Sequence, residues 1–187
     1  MTQILLTAFV VLFAPIPWAV IIIHLLVKSG RWNLISKILV GGICFLTWGI
    51  LAYWLFNSNF LFAGKFDSEI SRYFGIMTLL FAAAIEFLSR KALTAKRIFG
   101  SSELEQSKDK LITNGIYAYA RHPRYVEHPL WALGFALVFG YFSFLWFFVY
   151  LLIGFSLVAY FEEQELIKRY GKEYLEYRKK VPAFFIL

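Results

Sequence analysis

Long apolar runs broken by short polar stretches organise the chain. A helix needs about 20 apolar residues to cross a hydrocarbon core of about 30 Å, and the pattern predicts five such crossings. The first runs from Ile4 to Val27, with Pro15 and Pro17 predicting a kink that packed neighbours can accommodate. The second runs from Leu34 to Phe56 and the third from Tyr73 to Leu88. A polar stretch from Ser89 to His128 follows. The nearly uncharged run from Pro129 to Phe161 is too long for one crossing and suits two short ones, with Gly140 to Ser143 as the turn between them. Glu162 to Lys180 is charged and helix-forming, and Val181-Pro182 ends it. The predicted fold is all-α and integral to a membrane. It has about five transmembrane helices and a short C-terminal cytoplasmic helix in one domain spanning 1–187. Residues 1–92 carry the three N-terminal spans; 93–187 carry a polar loop, a helical hairpin and the tail.

Charge orients this arrangement. Of 19 Lys and Arg residues, all but Lys65 and Arg72 fall after the first span, after the third span or in the tail. Cytoplasmic loops are enriched in Lys and Arg, which predicts the N-terminus outside and the C-terminus in the cytoplasm. The basic loop after the third span includes Lys96, Arg97 and Lys108. The net charge of +7 therefore reads as topology and lipid headgroup contact, with no nucleic-acid partner. Composition agrees: 60% of residues are hydrophobic and only 17% charged, against about a quarter charged in soluble domains. The apolar N-terminal run lacks a basic n-region and a cleavage site, so it reads as a retained span. The single cysteine, Cys44, offers no intrachain disulfide, and no His or Cys pattern predicts a metal.

Two segments carry candidate chemistry. Leu111 to Tyr125 combines the turn signal Asn114-Gly115 with three tyrosines, Arg121, His122 and Arg124, directly before a span. Pro123 and Pro129 predict an irregular or re-entrant backbone there. Glu162-Glu163-Gln164-Glu165 lies at the predicted end of span five, where carboxylates are costly unless solvated or paired. A hairpin joining spans four and five brings Arg121 and His122 near Glu162 and Glu163. Such a pocket suits a zwitterion flanked by aromatic groups; S-adenosylmethionine is one, and other zwitterions fit equally.

Gly115-Ile-Tyr117, Arg121-His-Pro-Arg-Tyr125, the Glu162-Glu163 pair and Tyr170-Gly-Lys-Glu-Tyr174-Leu-Glu-Tyr177, closing in Pro182, resemble the isoprenylcysteine carboxyl methyltransferase family, which is related to the phospholipid N-methyltransferases. The resemblance implies a membrane methyltransferase using S-adenosylmethionine, with Tyr117, Arg121, His122, Pro123, Tyr125, Glu162 and Glu163 holding the cofactor. A small or lipid-like acceptor (carboxylate, thiol or amine) would enter from the bilayer. Three features depart from the family pattern: Ile116 replaces a proline, Glu127 stands where a glycine is usual, and the chain ends Phe184-Phe-Ile-Leu187. Glu127 and His128 are the candidate catalytic bases, on position alone.

Simpler readings accompany some of these residues. Arg124 reads as a snorkelling interfacial cation, His24 as a packed or water-facing helix residue, and Glu165 as solvated tail surface. Glu86 and Arg90 form an i, i+4 pair or line a substrate pocket, and the tail tyrosines read as interface anchors. An NADPH-dependent membrane reductase of the sterol type, sharing an Arg-His-Pro-x-Tyr segment, is the alternative enzyme; a scaffold or transporter leaves the charged pocket unexplained.

Overall fold

The two prolines of the first apolar run divide it into α1 (Thr2–Phe13) and α2 (Ile16–Lys28) in this computed structural model, which describes residues 2–31, 33–93 and 110–185. Lys96, Arg97, Lys108 and the terminal Ile186 and Leu187 lie outside the described residues. At the break, the Ala14 carbonyl accepts a hydrogen bond from the Tyr150 hydroxyl. Next comes α3 (Leu34–Asn57), which starts in a capping box: the Asn33 side chain accepts from Ser36 N at 3.0 Å and Ser36 Oγ accepts from Asn33 N at 2.9 Å.

The third predicted span extends at both ends into α4 (Glu69–Ala92). Ser68 caps its start, Glu69 lies in its first turn, and Arg90 and Lys91 lie in its last turn. Those charges match the helix dipole, so the polar turns stay helical beyond the apolar segment. Described again from Lys110, the chain forms a short 3-10 turn, Gly115–Ala118, and then α5 (Pro123–Phe139). This helix begins six residues before the predicted Pro129. Pro123 sits in its first turn, where a missing N–H costs nothing, and Pro129 lies inside it. The irregular segment is correspondingly shorter than the sequence predicts.

Gly140, in the left-handed region at φ 74, ends α5 as the predicted turn. A Cβ at this position would collide with the Phe66 carbonyl, and Phe66 N donates to Gly140 O at 2.8 Å. The chain re-enters helix at once as α6 (Phe142–Tyr170), which runs well past the predicted end at Phe161. Gly171, at φ 55, separates it from α7 (Lys172–Lys180).

Small residues allow the central contacts. α4 and α5 pack antiparallel: Ser71 Oγ donates to Leu137 O at 2.9 Å, and Ala82, Ala132 and Ala136 are fully buried. Gly75 and Gly134 sit at the closest approach, where added Cβ atoms would fall 2.7 Å from Val138 N and 2.6 Å from Leu79 Cγ, respectively. Membrane helices associate through such small-residue faces because lipid supplies no hydrophobic drive between them. On the other flank, Gly154 of α6 meets Pro17 of α2, and His24 Nδ1 lies 2.8 Å from Glu165 Oε1. Glu165 is thus not solvated tail surface; it pins α6 to α2. Helices α1–α2 together, α3, α4 and α6 are long and apolar enough to cross a membrane, and α5, with 17 residues, rises about 25 Å at 1.5 Å per residue. The protein is an all-α integral membrane protein.

Candidate functional site

Arg121 stands just before α5, where the 3-10 turn and Pro123 set the chain's entry angle. Its Nε donates to Glu163 Oε1 of α6 at 2.8 Å, and its Nη2 reaches the same oxygen. Nη1 donates to Arg178 O at 3.1 Å and also to Val181 O. All three guanidinium nitrogens are therefore engaged, tying α5, α6 and the end of α7 together. The backbone repeats the link: Arg121 N donates to Pro182 O and His122 N to Ala183 O, each at 2.9 Å. Val181-Pro182 ends α7, as predicted, and also supplies the carbonyls that clasp the Arg-His-Pro segment.

His122 is almost wholly buried, at 4% exposure. Its Nδ1 lies 3.1 Å from Glu162 Oε2 and its Nε2 lies 3.4 Å from Glu163 Oε1. Burial alone would depress its pKa. The hydrogen bond and charge of Glu162, then those of Glu163, outweigh that and raise it to about 9. The ring is therefore an imidazolium at neutral pH. Glu162 Oε2 is buried, and its charge is met by the His122 ring at 3.1 Å. A carboxylate has about four lone-pair sites, so Glu162 keeps capacity for a ligand donor beside His122.

Aromatic rings wall this cluster. His122 stacks on Tyr125 at 5.6 Å with a 10° interplanar angle, and Tyr125 stacks on Phe155 of α6 at 5.4 Å. Phe184 lies 6.3 Å from the His122 ring. On the tail side, Tyr174 and Tyr177 are buried and pack with Val181 against Leu111, Leu166 and Ile167. They form a core and are not interface anchors. Tyr177 OH donates to Tyr117 O at 2.6 Å, and burial pushes the Tyr177 phenol up to about 12. Burial likewise raises Tyr117 well above the ordinary phenol range, with Glu162 adding to it and Arg124 opposing.

The predicted cofactor residues Arg121, His122, Tyr125, Glu162 and Glu163 thus converge, with the fully buried Pro123 at the helix start and Tyr117 within the field of Glu162. The two predicted bases part company. His128 faces α6 and α1, its ring 4.7 Å from Phe155 and 5.1 Å from Phe13, and its Nδ1 donates to Arg124 O at 2.8 Å. Glu127 lies on the side turned to α4, within the fields of Glu86, Arg124 and Arg90. Glu86 does pair with Arg90.

Sequence reasoning did not anticipate Arg178, whose Nε lies 3.4 Å from Glu163 Oε2, nor the clasp of carbonyls at the end of α7. One signal was available: Tyr170, Tyr174, Tyr177 and Val181 recur at helical spacing, marking one apolar stripe in a charged helix. A separate cleft of about 100 Å³, lined by Lys65, Asp67, Arg72 and Tyr141 among others, lies at the opposite end of α4 and α5.

Fold and site together define a membrane protein whose last helical hairpin and tail enclose a buried cluster of opposite charges. The family profile described as phospholipid methyltransferase matches residues 70–173, and the chain belongs to that family. It is 46% identical over 81 residues to the protein-S-isoprenylcysteine O-methyltransferase of Schizosaccharomyces pombe, covering 42% of this chain and 34% of that protein. The protein of the same name from Xenopus laevis is 32% identical over 119 residues, covering 58% of this chain and 38% of the relative. The Homo sapiens protein of that name is 36% identical over 80 residues, covering 39% and 26%. The matched segments therefore span between about a quarter and two fifths of the length of these relatives. No solved structure matches it at a significant level.

Proposed function

We propose that the protein is a membrane methyltransferase that takes its methyl group from S-adenosylmethionine and passes it to a lipophilic acceptor entering from the bilayer. The observation that carries this reading is the buried His122 ring 3.1 Å from the buried Glu162 Oε2. A zwitterionic amino-acid moiety needs a cation and an anion side by side, and this pair offers both. Family membership and the relatives' naming as O-methyltransferases support the same class.

S-adenosylmethionine supplies an electrophilic methyl carbon on a sulfonium; the chain's own residues bind, orient and exclude water. Glu162 would accept from the donor's ammonium, and His122 would face its carboxylate. Tyr125, stacked between His122 and Phe155, would hold the His122 ring in place for that contact. Arg121 has its donors committed to Glu163 and to the α7 carbonyls, so its role is positioning: it holds the tail closed over the hairpin. Glu163 serves the same clasp. Much of the rate enhancement would come from aligning two bound reactants in a dry site. Seventeen of the 19 basic residues fall on one predicted side of the membrane, which favours a site facing the cytoplasm, a cytoplasmic C-terminus and an N-terminus outside. The test is transfer of a labelled methyl group from S-adenosylmethionine to a membrane lipid extract by the detergent-purified protein. Labelled product is expected; its absence, together with NADPH-dependent reduction in the same extract, would overturn the reading.

A further inference from the structure

Glu127 is only 5% exposed, and its Oε2 is buried with no hydrogen-bond partner among the described residues. Its other oxygen, Oε1, lies 3.8 Å from His128 Nδ1, but that nitrogen already donates to the Arg124 carbonyl. The antiparallel register set by Ser71 with Leu137 and by Leu79 with Gly134 continues to place Glu127 opposite Ile85 and Glu86. Ser89, fully buried one turn further along α4, also has an unpartnered hydroxyl oxygen. Two orphaned polar atoms therefore occur where α4 meets the start of α5. The nearby charges are Glu86, Arg90 and Arg124, with Glu86 paired to Arg90. Tyr117 lies within the fields of both Glu127 and Glu162.

We propose that Glu127 is a specificity-determining residue: its unpartnered Oε2 receives the acceptor's N–H or S–H, selecting a proton-bearing nucleophile, an amine or a thiol, over a carboxylate. This rests on the methyltransferase reading and departs from the O-methylation that the relatives' names give. A carboxylate acceptor brings no donor for Oε2 and sets a second anion against it in a buried place. An amine or thiol satisfies the orphan and surrenders its proton there. In the transfer a lone pair on X forms the X–CH3 bond, the X–H bond breaks with its pair left on X, and its proton passes to Glu127. The S–CH3 bond that breaks leaves its pair on sulfur as a thioether.

The experiment compares wild type, Glu127→Gln and Glu127→Gly in detergent micelles. A long-chain primary amine, a long-chain thiol and S-farnesyl-N-acetylcysteine, which carries a free carboxylate, serve as acceptors. Wild type is expected to methylate the amine or the thiol, and that rate to fall roughly a hundredfold in Glu127→Gln, as for loss of a general base. Glu127→Gly should gain carboxylate methylation. Binding without any donor gives a second readout: the preferred amine or thiol should raise the melting temperature of wild type and not of Glu127→Gln. Faster carboxylate methylation by wild type, or the same melting shift in both proteins, would overturn the assignment. Calorimetry with S-adenosylhomocysteine separates the two levels: failure to bind it contradicts the methyltransferase reading, whereas binding with carboxylate preference contradicts only the role of Glu127.

Discussion

Arg121 Nε and Glu163 Oε1 meet at 2.8 Å although 42 residues separate them in the chain, and both side chains are nearly buried, at 8% and 9% exposure. Removing Arg121 leaves the buried Glu163 with only His122 and the half-exposed Arg178 beside it, and breaking a buried pair costs about 3–5 kcal/mol. Arg121→Ala should therefore lower thermal stability in detergent sharply and release the tail to proteolysis after α7. Glu176→Gln, which breaks only the exposed pair with Lys179, should leave both measurements nearly unchanged.

His122 gives the account a pH dependence. Its folded pKa, about 9, lies above an unfolded value of about 6.5. A raised pKa means that its contribution to stability is fully present below about pH 6.5 and is lost as pH rises through about 9. Melting temperature measured from pH 6 to pH 10 should fall across that window. His122→Asn should be less stable at pH 6 and flatter over the same range.

Tyr177 and Tyr117 couple the tail to the 3-10 turn through a 2.6 Å hydrogen bond. Tyr177→Phe keeps the ring and removes the donor, with an expected loss of about 1 kcal/mol. Hydrogen exchange read at residues 115–118 should quicken while exchange along α4 stays constant.

Glycine positions separate packed from lipid-facing helix. A Cβ at Gly75 would sit 2.7 Å from the Val138 backbone nitrogen, whereas Gly41 has nothing within 4 Å. Overpacking against backbone should make Gly75→Ala destabilising by about 1–3 kcal/mol. Gly41→Ala should stay within about 0.5 kcal/mol of wild type, and thermal unfolding of the two variants provides the comparison.

Most of the helical order was legible from the apolar pattern because hydrocarbon imposes a length on each run. The ends were not. α4 and α6 continue through Ser89 and Glu162 because capping and charge placement stabilise polar helical turns, which hydropathy cannot register. Pro129 reads as a boundary yet lies inside α5, since tertiary packing can outweigh one missing backbone hydrogen bond. Within the site, the meeting of Arg121 and His122 with Glu162 and Glu163 followed from the hairpin alone. The closure by Val181, Pro182 and Ala183 did not, because main-chain carbonyls carry no sequence signature. His24 with Glu165 was hidden for another reason: their contact depends on how α2 packs on α6, which no single run reveals.

In the proposed function the His122–Glu162 pair grips the amino-acid end of the methyl donor. Isothermal titration of S-adenosylhomocysteine into the detergent-solubilised protein tests it most directly, with wild type beside Glu162→Gln. Saturable binding by wild type is expected, with a weakening of roughly tenfold or more in Glu162→Gln, the loss of one charge-assisted hydrogen bond. Equal affinity in the two proteins would contradict it.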